Sequence, residues 1–97
     1  MHLDGPTSLR LEGDLDLLAS EELAKVLLPM CDRPDTVIDL DLSGVRFIDS
    51  TGIALLLRAH RRADSSGGKV TVMGANGPVE RVLHATGADE ILGIGLP

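Results

Sequence analysis

Val37-Ile38-Asp39-Leu40-Asp41-Leu42-Ser43-Gly44 leads through Val45-Arg46 into Phe47-Ile48-Asp49-Ser50-Thr51-Gly52-Ile53. The first part alternates. Ile38, Leu40 and Leu42 point one way, and Val37, Asp39 and Asp41 point the other, which is the period of a half-buried strand. Two acids on one side predict that this face is wet or looks at a helix end or a polar site. Ser43-Gly44 predicts the end of the strand. The second part is a hydroxyl-rich loop opening directly into a helix over Ile53–Ala63. There Ile53, Leu56, Leu57, His60 and Ala63 share a stripe, with Arg58 and Arg62 opposite. Ser65-Ser66-Gly67-Gly68 ends that helix. A strand, a short loop and an amphipathic helix in succession form the unit of an α/β fold.

The unit recurs on both sides. Thr7 to Leu15 alternates Leu9, Leu11 and Leu15 with Arg10, Glu12 and Asp14, and Gly13 marks an end or a bulge. Ser20 fits a helix N-cap, followed by Glu21 and Glu22 in the first turn. Leu23, Val26, Leu27 and Met30 recur at helical spacing until Pro29 ends or bends the helix. Lys69 to Met73 is a third strand. Pro78 opens a helix whose face is Val79, Val82, Leu83 and Thr86, and Gly87 closes it. Ala88 to Ile94 reads as a short helix or a terminal strand. The order β, α, β, α, β, α with short connections predicts a single α/β domain over 1–97, with a central, mostly parallel sheet covered by amphipathic helices.

Composition narrows the function. At 97 residues the chain has room for one core. A formal charge of −6 argues against a general nucleic-acid binder, and one Phe without Trp or Tyr argues against a base-stacking platform. The lone Cys31 excludes an intramolecular disulfide framework and a multi-cysteine zinc site. No signal peptide is read at the N-terminus and no apolar run approaches a membrane span, so the expected compartment is the cytoplasm. His60 reads as a packed residue of its helix. His84 has no metal-spaced neighbours, and Ser50, His60 and Asp49 lack the spacing of a hydrolase triad. No enzymatic activity, metal or cofactor is expected.

Ser50 or Thr51 falls at a helix N-terminus. The plain reading is an N-cap; the sharper one is a phosphorylatable hydroxyl, whose phosphate would meet unpaired N–H groups and the positive end of the dipole. Leu55 projects at 100° per residue to the side of Arg58 and Arg62. It is read either as part of a solvated helix face or as an apolar centre ringed by arginines, a docking patch.

Leu40-Asp41-Leu42-Ser43-Gly44-Val45, Phe47-Ile48-Asp49-Ser50-Thr51-Gly52-Ile53, Gly67-Gly68-Lys69-Val70 and Val82-Leu83-His84-Ala85-Thr86-Gly87 together resemble the STAS domain family. More narrowly they are similar to bacterial anti-sigma factor antagonists. Gly13-Asp14-Leu15-Asp16 resembles that family's segment before the first helix, and the likeness spans about residues 8 to 95. The resemblance implies a protein-binding module. Unphosphorylated, it would bind an anti-sigma factor that is also a GHKL-type serine kinase and so release a sigma factor. Phosphorylation would end the binding, and a phosphatase would reset it. Carried onto this chain, the switch loop is Asp49, Ser50, Thr51 and Gly52, and the acceptor is Ser50 with Thr51 a second acceptor; the docking patch of Leu55, Arg58 and Arg62, read above from helical spacing, is the expected partner surface next to that loop. ATP and magnesium would belong to the kinase. The alternative implied by the same resemblance is a STAS subunit holding the ATPase of a lipid-type ABC transporter. The family usually has one more strand at the N-terminal side; here it is expected to be absent, or short and formed by Met1 to Asp4. Asp39 is an extra acid, and Pro29 is expected to shorten the first helix.

Overall fold

A computed structural model describes residues 7–93 of the protein. The elements are β1 (Thr7–Leu15), α1 (Leu17–Cys31), β2 (Val37–Ile48), α2 (Ser50–Ser65), β3 (Lys69–Met73), α3 (Gly77–Ala85) and α4 (Ala88–Leu92). The three strands form one sheet in the order β1-β2-β3, and both pairings are parallel. The additional strand expected over Met1 to Asp4 falls outside the described residues.

Ile38, Leu40 and Leu42 are fully buried and form the centre of the core. In register with them stand Leu9 and Val70, Val72, on the same face. The helices supply Leu27, Leu28, Leu55, Leu56, Val79 and Leu83 to this one cluster. The opposite face carries Ser8, Arg10 and Lys69, all exposed, with Asp39 and Asp41 half-buried. The two acids are satisfied there: Asp39 accepts from the Thr71 hydroxyl of the neighbouring strand, and Asp41 accepts from Ser43 N at 2.9 Å. That bond to Ser43 N holds the Asp41 carboxyl below its usual range. Period-two alternation thus sets which side of the sheet faces the helices.

Ser43-Gly44 does not end the strand. β2 runs on to Ile48, and its register against β1 shifts between Arg10 and Glu12 and again between Gly13 and Asp14. Two residues, Leu42 and Ser43, stand opposite Leu11 alone, and Arg46 is unmatched between Val45 and Phe47. These are β-bulges, which add a residue on one strand and raise the local twist. Gly13, on the partner strand opposite the second one, has φ +86°, a conformation that favours glycine. The bulges restore the inward aim of Val45 and Ile48, both buried, after the simple alternation has run out.

Two helices also depart from the sequence reading. The N-cap of α1 is Asp16, whose carboxylate accepts from Ala19 N at 3.0 Å, so Ser20 lies inside the helix and is buried. Pro29 does not stop the helix at once, which continues to Cys31. Cys31 is buried, and desolvation, followed by the Asp32 charge, pushes its thiol pKa up, the opposite of a reactive thiolate. Ala88–Leu92 is a helix, capped by Gly87 at φ +76°.

The turn from α3 to α4 carries one polar tie. His84 Nδ1 lies 2.9 Å from a carboxylate oxygen of the buried Asp89. The hydrogen bond to Asp89, then its charge, raises the His84 pKa above 6.5. A raised histidine contributes stability in full below its unfolded pKa and loses it as pH rises through the folded one. The gap in urea midpoint between wild type and His84→Gln should therefore be widest near pH 5.5 and close above neutrality. A gap that is the same at pH 5.5 and 8.5 would refute the tie.

Candidate functional site

Both α1 and α2 begin at the carboxyl ends of the parallel strands, the end at which open α/β sheets generally bind. Asp16 caps α1 directly after Leu15, and Asp49 caps α2 directly after Ile48. Leu15 and Ile48 are register partners, and Asp49 N donates to Leu15 O at 3.3 Å. The two helix starts are thus tied side by side.

Asp49 does most of the local bonding. One carboxylate oxygen accepts from Thr51 N at 2.9 Å, from Gly52 N at 3.1 Å and from the Thr51 hydroxyl. Its carbonyl accepts from Ile53 N at 3.1 Å. The Thr51 hydroxyl first, then Gly52 N, hold the Asp49 carboxyl below the usual range, so it is firmly ionised at neutral pH. The cap is therefore Asp49 and neither Ser50 nor Thr51. Ser50 is the first residue of α2, exposed, and its hydroxyl has no hydrogen-bond partner among the described residues. The two candidate hydroxyls differ in kind: that of Thr51 is tied to a carboxylate, and that of Ser50 faces solvent. The expectation that a phosphate here would find unpaired N–H groups is also revised. Those of Thr51, Gly52 and Ile53 are already bonded to Asp49, so a phosphate on Ser50 would find the N–H of Ser50 itself as the one donor of this helix start without a partner among the described residues, beside an ionised carboxylate.

Gly52 is fixed by packing. A Cβ there would lie 2.6 Å from Leu15 O and 2.8 Å from an Ile48 side-chain carbon. The backbone oxygen cannot step aside without moving the head of α2. Gly52→Ala gains helix propensity of about 1 kcal/mol but suffers overpacking of about 1–3 kcal/mol. The expected net result is a thermal midpoint several degrees lower, read by circular dichroism. A midpoint equal to or above wild type would show that the close approach is absent.

Leu55 is not on the surface. It is 3% exposed and packs in the core. The buried residues of α2 are Gly52, Ile53, Leu55, Leu56, Ala59 and Ala63, an arc centred about one residue earlier than the stripe read from the sequence. The reason is that α2 is covered twice, by the sheet and by α1, so the apolar arc is wider than a single stripe. His60 and Leu57 are half-buried at its edge. Arg62 is engaged: its Nε donates to Asp32 at 3.0 Å, and a second nitrogen contacts the other carboxylate oxygen, joining α2 to the end of α1. That bond to Asp32 also raises the Arg62 pKa. Of the three residues placed in the docking patch, Arg58 alone is exposed without an ion-pair partner among the described residues.

Exposed apolar residues that the sequence reading passed over lie at the two adjoining helix starts. Leu17 and Leu18 are 56% and 69% exposed in the first turn of α1, and Phe47 is 51% exposed just before the cap. Leu17 also borders an open-sided cleft of about 240 Å3 between α1 and α2, lined with Ser20, Glu21, Ala24, Thr51, Ala54, Leu55 and Arg58. The available signal was that Leu17 and Leu18 fall off the stripe formed by Leu23 and Leu27. Among the described residues no cluster of three metal-ligating side chains occurs, and no helix is long and apolar enough to cross a membrane.

Exposed apolar side chains at two adjoining helix starts, one of which carries an unbonded hydroxyl, suit recognition by another macromolecule. Comparison with known proteins agrees on the family. The family model described as "Mlab, STAS domain" matches residues 2–94. The anti-sigma F factor antagonist of Paenibacillus polymyxa is 30% identical over 94 residues, covering 96% of this chain and 80% of that protein. Among solved structures, the anti-sigma factor antagonist SpoIIAA in its unphosphorylated form matches with a TM-score of 0.76 at 19% identity, over 98% of this chain and 85% of that one. The SulP transporter STAS domain from Vibrio cholerae matches with a TM-score of 0.70 at 27% identity, over 98% and 77%. With its three-stranded parallel sheet, its helices and a family match over nearly its whole length, the chain belongs to the STAS domain family.

Proposed function

We propose that this STAS domain is an anti-sigma factor antagonist, a binding module whose affinity is switched by phosphorylation of Ser50. The observation that carries the reading is the pairing of an exposed, unbonded Ser50 hydroxyl with a neighbouring Thr51 whose hydroxyl is held by Asp49. A kinase reaching this helix start meets one free nucleophile. The 30% identity to an anti-sigma F factor antagonist supports the identity of the partner. In this reading the unphosphorylated protein binds an anti-sigma factor, itself a GHKL-type serine kinase that brings ATP and magnesium, and a sigma factor is released. A phosphatase removes the phosphate. The protein performs no chemistry itself and acts in the cytoplasm.

The test combines the purified protein with its cognate anti-sigma factor, ATP and magnesium, followed by phosphosite mapping by mass spectrometry. The expected product carries phosphate at Ser50 and none at Thr51. No binding to the anti-sigma factor, or phosphate only at Ser65 or Ser66, would overturn the assignment. A second reading, a STAS subunit that holds the ATPase of a lipid-type ABC transporter, is favoured by the match to the family model described as "Mlab, STAS domain". It predicts capture of that ATPase without any modification of Ser50.

A further inference from the structure

Asp49 makes more bonds than a helix cap requires. A capping side chain ordinarily accepts from one backbone N–H near the helix start. The cap of α1 is of that kind: Asp16 accepts from Ala19 N at 3.0 Å, and the residues that follow it, Leu17 and Leu18, carry no hydroxyl to join it. At α2 one oxygen of Asp49 accepts from Thr51 N at 2.9 Å, from Gly52 N at 3.1 Å and from the Thr51 hydroxyl as well. Thr51 thus gives both its donors to a single atom. That fixes its χ1, since either of the other staggered positions swings Oγ away from the carboxylate. Ser50, one residue earlier, is exposed, and no bond among the described residues fixes its rotamer.

The tie hinders phosphoryl transfer to Thr51. In transfer from ATP the acceptor oxygen bonds to the γ-phosphorus, the bond from that phosphorus to the bridging oxygen breaks, ADP leaves, and the hydroxyl proton passes to a base of the kinase. Thr51 Oγ accepts only after giving up its bond to Asp49 and turning outward. A phosphate formed without that turn would press its oxygens against an ionised carboxylate. Asp49 is also a poor base for the Thr51 proton: the Thr51 hydroxyl first, then Gly52 N, hold its carboxyl below the usual range. Ser50 has no such bond to give up.

We infer, resting on the reading of Ser50 as a phosphorylated switch, that Asp49 is a positioning residue that selects the acceptor: by holding the hydroxyl at position 51 it confines phosphate to Ser50, whether that hydroxyl belongs to threonine or to serine. Asp49 touches neither ATP nor the transferred group and acts through Thr51 alone. The helix start then carries one phosphate or none, and removal of a single phosphate resets it. Without the tie, two adjacent hydroxyls at one helix start would compete for the same kinase, and a doubly charged product would need two dephosphorylations.

The test reads the ratio of phosphate at position 51 to phosphate at Ser50, by mass spectrometry, after incubation with the cognate anti-sigma factor, ATP and magnesium. A ratio does not depend on how fast the kinase works. Asp49→Ala should raise it by about tenfold or more, the scale of one hydrogen bond to a charged group. Asp49→Asn, which keeps an acceptor in the same place, should restore the wild-type ratio. Asp16→Ala removes the cap of α1, a comparable loss at the adjoining helix start, and should leave the ratio unchanged because Thr51 stays tied. A kinase that simply prefers serine to threonine would also spare Thr51, and Thr51→Ser separates the two explanations. The introduced hydroxyl can make the same bond to Asp49, so phosphate should stay at Ser50. Should Asp49→Ala fail to fold, Asp49→Asn and Thr51→Ser decide the matter. Phosphate at position 51 in Thr51→Ser, in Asp49→Asn or in Asp16→Ala, or none there in a folded Asp49→Ala, would overturn selection by Asp49 and leave Ser50 standing as the switch. A wild-type protein that takes no phosphate from the anti-sigma factor would overturn both.

Discussion

Ser50→Asp should bind the anti-sigma factor about a hundredfold more weakly than wild type while melting at nearly the same temperature. The two halves of that result have separate causes. Ser50 is exposed at the first position of α2 and makes no bond to lose. A carboxylate there gains from the helix dipole and is repelled by the ionised Asp49. Exposed substitutions of this kind shift stability by about 0.5 kcal/mol or less. In the complex the same charge has to give up water beside a second carboxylate, with the N–H groups of Thr51 and Gly52 already committed to Asp49. An unpaired buried charge is destabilising by several kcal/mol, and each ~1.4 kcal/mol is a factor of ten in affinity. Ser50→Ala should bind like wild type and resist phosphorylation. Thr51→Ala should bind too, but melt earlier, because it removes a bond to the cap. Titration calorimetry of the three variants against one partner decides the matter, and equal affinities for wild type and Ser50→Asp would reject charge at Ser50 as the switch.

Leu55→Asp should yield little folded protein. From spacing alone this position looks like a tolerant surface site beside Arg58, where a charge would test docking. The structure makes it a core position in contact with the α1–α2 seam. Removing a buried leucine side chain is destabilising by about 2–5 kcal/mol, and the carboxylate adds the penalty of an unpaired polar group. A total of roughly 4 kcal/mol or more is a large share of the 5–15 kcal/mol available to a typical domain. Far-ultraviolet circular dichroism with a urea melt should show an unfolded or barely cooperative protein at 25 °C. Leu55→Met, of similar volume, should fold. A cooperative, near-wild-type melt for Leu55→Asp would return this residue to the surface and reopen the patch of Leu55, Arg58 and Arg62.

How far local pattern reaches is clear from particular elements. β1 and β3 have the limits that alternation assigns, Thr7–Leu15 and Lys69–Met73, because their inward and outward residues alternate without interruption. The order of elements and the parallel sheet follow from strands separated by amphipathic helices, and the family from the run Asp49-Ser50-Thr51-Gly52 in its setting. These features depend on neighbours within one or two turns, which a sequence displays directly. Alternation ends β2 at Leu42, but a bulge breaks the period while the hydrogen-bond ladder continues against β1, a fact held by the partner strand. The burial of Leu55 escapes the sequence for a related reason. A helix wheel shows which residues share a side, but α1 and the sheet together decide how much of α2 is covered. The division of labour at the switch was equally out of reach. Asp49, Ser50 and Thr51 are all good capping residues, and only the folded geometry sets Asp49 as the cap, ties Thr51 to it and leaves the Ser50 hydroxyl free. Sequence by itself determined the fold, its order and the segment that marks the family. Tertiary packing decided which hydroxyl is available and which side chains surround it, since availability depends on contacts made by residues far apart in the chain.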